Sequence, residues 1–474
     1  MDADALCWTP AIELARMVRT RQVSPLELTD AVLERIARLN PRLNAYCTIV
    51  ADQARQAARE AEAAVMRKDA LGPLHGVPYS LKDLTPTRGI RTTMGSRIFE
   101  HHVPEEDAAL VERLRAAGGI LLGKTNTPEF GCKPFTDNRI FGATRNPWAL
   151  DRSCGGSSGG AAAAVAAGLG PLAEGSDLAG SIRHPAAWCG VVGFKPSQGR
   201  VPRYPSSAAW NPMSAHGPIA RTVADAALMF SVMVGPDARD PLALPHTGED
   251  WARCVSDPDV KGLRVAWTPD LGGAAPVDPT VAALCERAAV GTFERLGCPV
   301  EPASPEIGNI LEPFLALNAA VRIAAVGRYL NEWRNEMDPI LVRRLDVGYS
   351  LTPAQIGQAE VERSTYHQRL RRFFERYDLL LCPTTATAAT PLGEPLPREI
   401  GGRPISQHLE ALILTFAFNF SPHPAITVPC GQTSDGLPVG LQIVGGWRQD
   451  ATVLRAAAAY EAAAPWADRR PPLR

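Results

Sequence analysis

The sequence has almost no net charge: 49 lysines and arginines stand against 50 aspartates and glutamates, a formal charge of -1 at pH 7. Nucleic acid and anionic membrane surfaces demand a concentrated positive field, so neither is an expected partner. No apolar run reaches the ~20 residues that a bilayer-spanning helix needs; the longest, 161 to 173, is about 13 residues of mostly small side chains and predicts a buried helix. Met1 to Pro10 lacks a basic stretch leading into an apolar one, so no secretory leader is expected and a cytoplasmic location follows. Ten cysteines are present, but no Cys-x-x-Cys pair and no histidine cluster at zinc spacing. Reduced core thiols are expected, with neither metal nor cofactor. Internal repeats and low-complexity linkers are also lacking, so a length that would allow about three domains is read as one.

What is present is a change of texture along the chain. The first seventy residues are helical. Ser24-Pro25-Leu26-Glu27 is a capping box with proline at the first helical position, predicting a helix to about Asn40. Pro41 is read as opening a second long helix toward Lys68. From Leu74 short apolar strands alternate with amphipathic helices: a strand over 77–81, a helix over 108–117, a strand over 120–122, the small-residue helix, a strand within 190–196 and a helix over 220–234. Strands return at 263–267, 379–382, 425–428 and 439–444, and helices near 309–333 and 354–377 are expected as an outer layer. This pattern predicts an α/β fold, one large domain whose central mixed sheet is mainly internal and covered by helices. Its parts are expected as a helical segment (1–70), a core (71–235), a variable helical insertion (240–375) and a second part of the core (376–474). The stretch 197–216 has no period and reads as a functional loop, a candidate lid.

Of two motif matches, one fails on context and one is weakened by it. Gly118 to Thr125 spells a Walker A loop, but Ile120 to Leu122 must themselves be strand, and Pro128 prevents a long helix from starting there. Gly155-Gly156-Ser157-Ser158-Gly159 fits the G-x-S-x-G elbow, which would make Ser157 a nucleophile with a distant base among His184, His216, His367, His408 and His423. The strand that motif requires before it is not visible in 145–152, which reads as a loop, so this remains a rival.

The richest region is Gly155 to Arg183, where two serines in glycine-rich turns flank the small-residue helix. Glycine on both sides of Ser157 and Ser158 makes a shaped turn that runs into a buried helix, not a linker. After it, Ser176-Asp177-Leu178-Ala179-Gly180-Ser181 offers successive N–H groups (Leu178, Ala179, Gly180, Ser181) able to converge on one point, as an oxyanion hole requires. Arg183 reads as a partner of Asp177 and not as a substrate clamp. Upstream, Lys82 ends the apolar run from Val77, and a lysine buried there would lose pKa and become available as a neutral base.

Together these segments closely resemble the amidase signature family of Ser-Ser-Lys hydrolases. The resemblance rests on GVPYSLKD at 76–83, GKTNTPEFG at 123–131, ATRNPW at 143–148, GGSSGGAAAAVAAG at 155–168 and GSDLAGSIRHPAAWCGVVGFKP at 175–196, and extends over nearly the whole chain. It implies that Ser181 is the nucleophile, Ser157 the proton-shuttling bridge and Lys82 the base, with Ser158, Ser176, Asp177 and Arg183 in support and a cis peptide between Gly156 and Ser157. The sequence departs from the family at Ser176 and Ala179, where threonine and glycine are usual, and at His184, where amidotransferase A-type subunits carry glutamine. The chain looks more like stand-alone hydrolases of aryl amides, cyclic amides or carbamates, working without cofactor as monomer or homodimer on a small-molecule amide or carbamate. A glutamine-dependent amidotransferase A-type subunit is the alternative within the family, and a non-catalytic binding protein on the same scaffold the alternative outside it. The expected pocket lies between the two serine turns, the loop bearing Tyr204 and Trp210, and a wall of Cys132, Pro134, Phe135 and Thr136. The run Phe416 to Phe420 is a further candidate wall.

Overall fold

The structure, a computed structural model, describes residues 2–394 and 397–473. Eleven strands form one mixed sheet: β1 (Tyr46–Ile49), β2 (Pro78–Lys82), β3 (Ile120–Thr125), β4 (Leu172–Asp177), β5 (Val192–Lys195), β6 (Ala215–Ala220), β7 (Val265–Trp267), β8 (Val300–Pro302), β9 (Leu379–Pro383), β10 (Ala425–Gln432) and β11 (Pro438–Gly445). Their spatial order is β1-β3-β2-β4-β6-β5-β10-β11-β9-β7-β8. Strands β2, β3, β9 and β11 are buried along their whole length and β4 at all but Ser176, as expected for a sheet covered by helices on both faces.

One pairing positions the chemistry. β2 and β4 run parallel, with Tyr79 opposite Leu172 and Ser80 opposite Ala173. Lys82 and the Ser176-Asp177 pair therefore leave the sheet at the same carboxyl edge, where ligands of α/β sheets bind. The helix Gly159–Ala166 connects the Ser157 turn to β4, and all eight of its residues are buried. Its small side chains are a packing requirement: a Cβ on Gly160 would run into the Asn126 backbone, and one on Gly159 into Thr136.

Several elements differ from the sequence expectation. Pro41 lies inside the last turn of the first long helix, Pro25–Leu43, and opens no second helix. Asn40 explains the stop: its side-chain oxygen accepts the N–H groups of Ala45 and Tyr46, turning the chain into β1. The second helix starts at Ala51. Residues 145–152, read as loop, carry a small hairpin, Arg145–Asn146 paired with Ala149–Ser153. Within 240–375 the strand expected at 263–267 is present as β7, and an unexpected one, β8, joins it at one edge of the sheet. The helix Leu311–Val326 is continued by a 3-10 turn and the short helix Leu330–Trp333.

Candidate active site

Lys82 is wholly buried, and its Nζ meets only hydroxyls and a carbonyl: Ser157 Oγ at 2.7 Å, Ser158 Oγ at 2.9 Å, Ser176 Oγ at 3.2 Å and the Ser176 carbonyl at 3.4 Å. Among the described residues no carboxylate bonds the ammonium directly. Burial therefore dominates over the more distant Glu174 and Asp177 charges, and the lysine pKa falls to about 7. At neutral pH a large share of Lys82 is an uncharged amine 2.7 Å from a serine hydroxyl.

The niche is held from behind by Glu174, a residue not singled out from the sequence. Its Oε2 accepts the Lys82 backbone N–H at 3.1 Å and the Thr85 hydroxyl at 2.9 Å, and its Oε1 lies 2.7 Å from His216 Nδ1. Burial alone would raise this carboxyl, but these bonds, led by His216, hold it below its ordinary value. Lys124 is also buried, with Nζ on Thr85 and Thr87; burial lowers it to about 8. The lysine of the Walker-like run thus braces the strand loop beside Lys82.

The Ser157 turn is shaped by three contacts. Gly155 has φ 76°, the region that favours glycine, and the Gly156–Ser157 peptide is cis. Thr136 ties both sides of the turn, donating to the Gly155 carbonyl at 2.8 Å and accepting the Gly159 N–H at 3.1 Å. His184 Nδ1 accepts the Gly156 N–H at 3.4 Å, and its ring packs on Trp188 with centroids 4.2 Å apart. Burial lowers His184 to about 4, so it stays neutral and can accept. The Ser158 N–H donates to the Ser181 carbonyl at 3.1 Å, joining the two serine turns.

The second turn is organised by an ion pair with no exposure on either side. Arg183 donates to both Asp177 oxygens at 3.0 Å, to Asn419 at 2.6 Å and to Gln442 at 2.7 Å. Asp177 also accepts the N–H groups of Gly180 at 2.7 Å and Ile182 at 3.1 Å. Burial would raise this carboxyl, but Arg183 outweighs it and holds Asp177 well below the usual carboxylate range. Asn419 donates to the Asp177 carbonyl at 3.0 Å and Thr415 to the Ala179 carbonyl at 2.9 Å, so the helix Ile413–Phe420 clamps the turn.

This wiring corrects one expectation. The Gly180 N–H is committed to Asp177 and is not free to serve an oxyanion. The N–H groups of Leu178, Ala179 and Ser181 have no hydrogen-bond acceptor among the described residues.

The expected pocket is brought together only in part. Cys132, Pro134, Leu178, Ala179 and Ser181 line one recess, joined by Gly131, Lys133, Gly156, Asn318, Arg322, Arg344, Leu409 and Leu412. Thr136 and Phe135 stand behind the Ser157 turn instead, Thr136 as its tie and Phe135 packed in the apolar cluster with Trp188. Tyr204 and Trp210 do not line this recess. Tyr204 bonds Glu106 at 2.8 Å and lines a separate hollow with Leu84, Met94 and Arg239, while Trp210 is 76% exposed. Phe416, Phe418 and Phe420 are buried core, Phe416 stacked on Phe314 at 4.4 Å, and form no wall.

The histidine rival has no geometric support, since among the described residues no imidazole bonds Ser157 or Ser181. His184 meets Gly156, His216 meets Glu174, His367 meets Ser421, His408 meets Arg344, and buried His423 stacks on Phe374. Among the described residues there is also no cluster of three metal-ligating side chains and no helix long and apolar enough to cross a membrane.

Arg322 and Arg344 escaped the sequence reading. A signal existed: Arg322 is the one basic side chain in the apolar helix Leu311–Val326, four residues after Asn318, whose oxygen it meets at 2.8 Å.

The arrangement is a desolvated amine touching Ser157, beside a second serine, Ser181, whose turn presents open N–H groups. Known proteins share this sequence and fold. The amidase family model matches residues 27–454. The chain is 43% identical to an acylamidase of Rhodococcus erythropolis over 99% of this chain and 98% of that one. It is 38% identical to the A-type subunit of a glutamyl-tRNA(Gln) amidotransferase from Moorella thermoacetica, with 99% of each covered. A crystal structure of a bacterial aryl acylamidase of the amidase signature family superposes with a TM-score of 0.92 at 33% identity, covering 98% of this chain and 99% of that one. The chain belongs to the amidase family.

Proposed function

We propose that the chain hydrolyses carbon–nitrogen bonds of amides through an acyl-enzyme on Ser181, with aryl and other hydrophobic amides as main substrates and carbamates or esters as side substrates. The observation that carries this reading is Lys82: a buried amine with a pKa near 7, bonded to Ser157 at 2.7 Å and to no carboxylate. Neutral Lys82 takes the proton of Ser157 as Ser157 takes that of Ser181. Ser181 Oγ attacks the carbonyl carbon, and the tetrahedral oxyanion is met by the N–H groups of Leu178, Ala179 and Ser181. Collapse breaks the C–N bond while Ser157 returns a proton to the departing amine. Water then attacks the ester by the same relay and frees the acid and Ser181. Every step runs on these side chains and backbone donors.

The acylamidase and aryl acylamidase relatives support the aryl-amide reading. Full-length similarity to an amidotransferase A-type subunit supports a second reading, a glutamine-dependent component that works with partner proteins. Purified protein assayed alone on an anilide and on glutamine separates them: release of aniline without added partners is expected. Ser181→Ala should lower anilide turnover by at least ~10³-fold, as loss of a nucleophile does elsewhere. Undiminished turnover in that variant would sink the mechanism.

A further inference from the structure

The recess at Ser181 is small, about 30 Å³, but it shares Asn318, Arg344 and Leu409 with an adjoining cavity of about 700 Å³. Two guanidinium groups, Arg322 and Arg344, line the recess. Both are half-buried, deep in the fold yet open to the cavity. Among the described residues neither forms a salt bridge. Arg322 donates to Asn318 Oδ1 at 2.8 Å and to the Gly131 carbonyl at 3.5 Å; Arg344 donates to the Cys132 carbonyl at 2.5 Å and to His408. Asp338, the one carboxylate among the described residues whose charge acts on Arg344, is spent on Lys133 at 2.5 Å and on the Ile340 N–H at 2.8 Å. Burial depresses both arginine pKa values, Arg344 to about 10 with Arg322 adding to the effect, but both remain cations at pH 7.

Partly desolvated cations without an acid are costly, and neutral acceptors leave several of their N–H donors unused. The same fold shows the alternative in Arg183, which is fully paired with an aspartate. Two arginines facing one space favour a bidentate anion. The far cavity wall is consistent with this, adding Arg343 and Arg398 against the single acid Glu312.

We propose that Arg322 and Arg344 form a carboxylate-binding subsite beside Ser181, so that the preferred amides carry a carboxylate a few bonds from the scissile carbonyl, with the apolar part of the substrate in the larger cavity. The turnover test rests on the amide-hydrolase reading above; the binding test does not. Two matched pairs place the charge on either side of the bond: N-phenylsuccinamic acid against N-phenylpentanamide, and 4-acetamidophenylacetic acid against N-(4-propylphenyl)acetamide. For wild type, the acid of at least one pair should exceed its neutral mate by about tenfold or more in kcat/KM, the range of one charge-assisted contact. Arg344→Gln and Arg322→Gln should each reduce that ratio by about tenfold, mainly through KM, and Arg344→Lys should restore part of it. No preference in either pair, or equal loss on acid and neutral substrate, overturns the subsite. Calorimetric titration of both acids and both neutral mates into Ser181→Ala protein reads the site without turnover. Tighter binding of an acid, lost in Ser181→Ala/Arg344→Gln, is expected even if the amide chemistry were misassigned; equal binding of acid and neutral mate overturns the proposal.

Discussion

Lys82 and Arg183 are both cations with no solvent exposure, at the edge of the same sheet, yet they do opposite work. Arg183 meets a carboxylate in a two-pronged pair and fills its remaining donors with Asn419 and Gln442. It is fixed in charge and holds the Asp177 to Arg183 turn in shape. Among the described residues Lys82 has only neutral oxygens within bonding distance of its amine. Burial without a carboxylate partner leaves its proton weakly held, and its pKa drops to about 7. Two things separate them: a guanidinium keeps its charge even without an acid partner, as Arg322 and Arg344 do, whereas a buried ammonium with no carboxylate at bonding distance gives up its proton near neutral pH.

The contrast can be broken from each side. The largest effect is expected from Lys82→Met, which should lower kcat/KM on an anilide by several orders of magnitude while leaving the protein folded. In wild type, kcat/KM should rise with pH through about 7 and then level, because the amine acts when neutral. A rising limb that persists near 7 in Lys82→Met would assign that limb to another group. Next in size is Arg183→Met, which strands the Asp177 charge in the core. It should cost about 3–5 kcal/mol of stability, read as a fall in denaturant midpoint, and activity should be lost together with the fold of the turn. A variant of near wild-type stability would show that the pair is dispensable.

The smallest effect sharpens the comparison through stability. A lysine whose folded pKa lies near 7 and whose ordinary value is 10.5 binds fewer protons folded than unfolded between these limits. Stability should thus rise with pH across that window, and the full penalty applies below about 7. Lys124 and Lys195, lowered to about 8 and about 7 by burial, act in the same sense. Lys82→Met should therefore be more stable than wild type at pH 7 and show a shallower rise toward pH 10, measured by denaturant unfolding at several pH values. An unchanged slope would mean that Lys82 is charged in the folded state across this range.

The catalytic neighbourhood was legible where its parts are continuous in the chain. The glycine-serine turn, the small-residue helix and the Ser176 to Arg183 run are each local devices, in which residue type is dictated by close backbone approach or by successive N–H groups. Elsewhere local cues misled. Proline near a helix boundary reads as a start, but Pro41 sits in a last turn because Asn40 caps the following chain, a bond invisible to periodicity. The apolar residues Tyr204, Trp210 and Phe416 to Phe420 read as pocket walls, yet a hydrophobic side chain carries no mark of whether it faces a cavity, solvent or core. Gly180 reads as an oxyanion donor, but the Asp177 carboxylate occupies its N–H.

By itself the sequence determined the α/β texture and the capped helix from Pro25, because these follow from spacing and from side chains that suit few backbone conformations, while the three residues proposed for catalysis were picked out by motifs that resemble a known family. Tertiary structure decided the rest. Parallel pairing of β2 with β4 brings Lys82 to Ser157 across 75 positions. Burial then sets the charge of that lysine, and two helices from another part of the chain deliver Arg322 and Arg344 to the recess at Ser181. Proton affinity and cavity charge are sums over groups distant in sequence, and they acquire values only when the chain is folded.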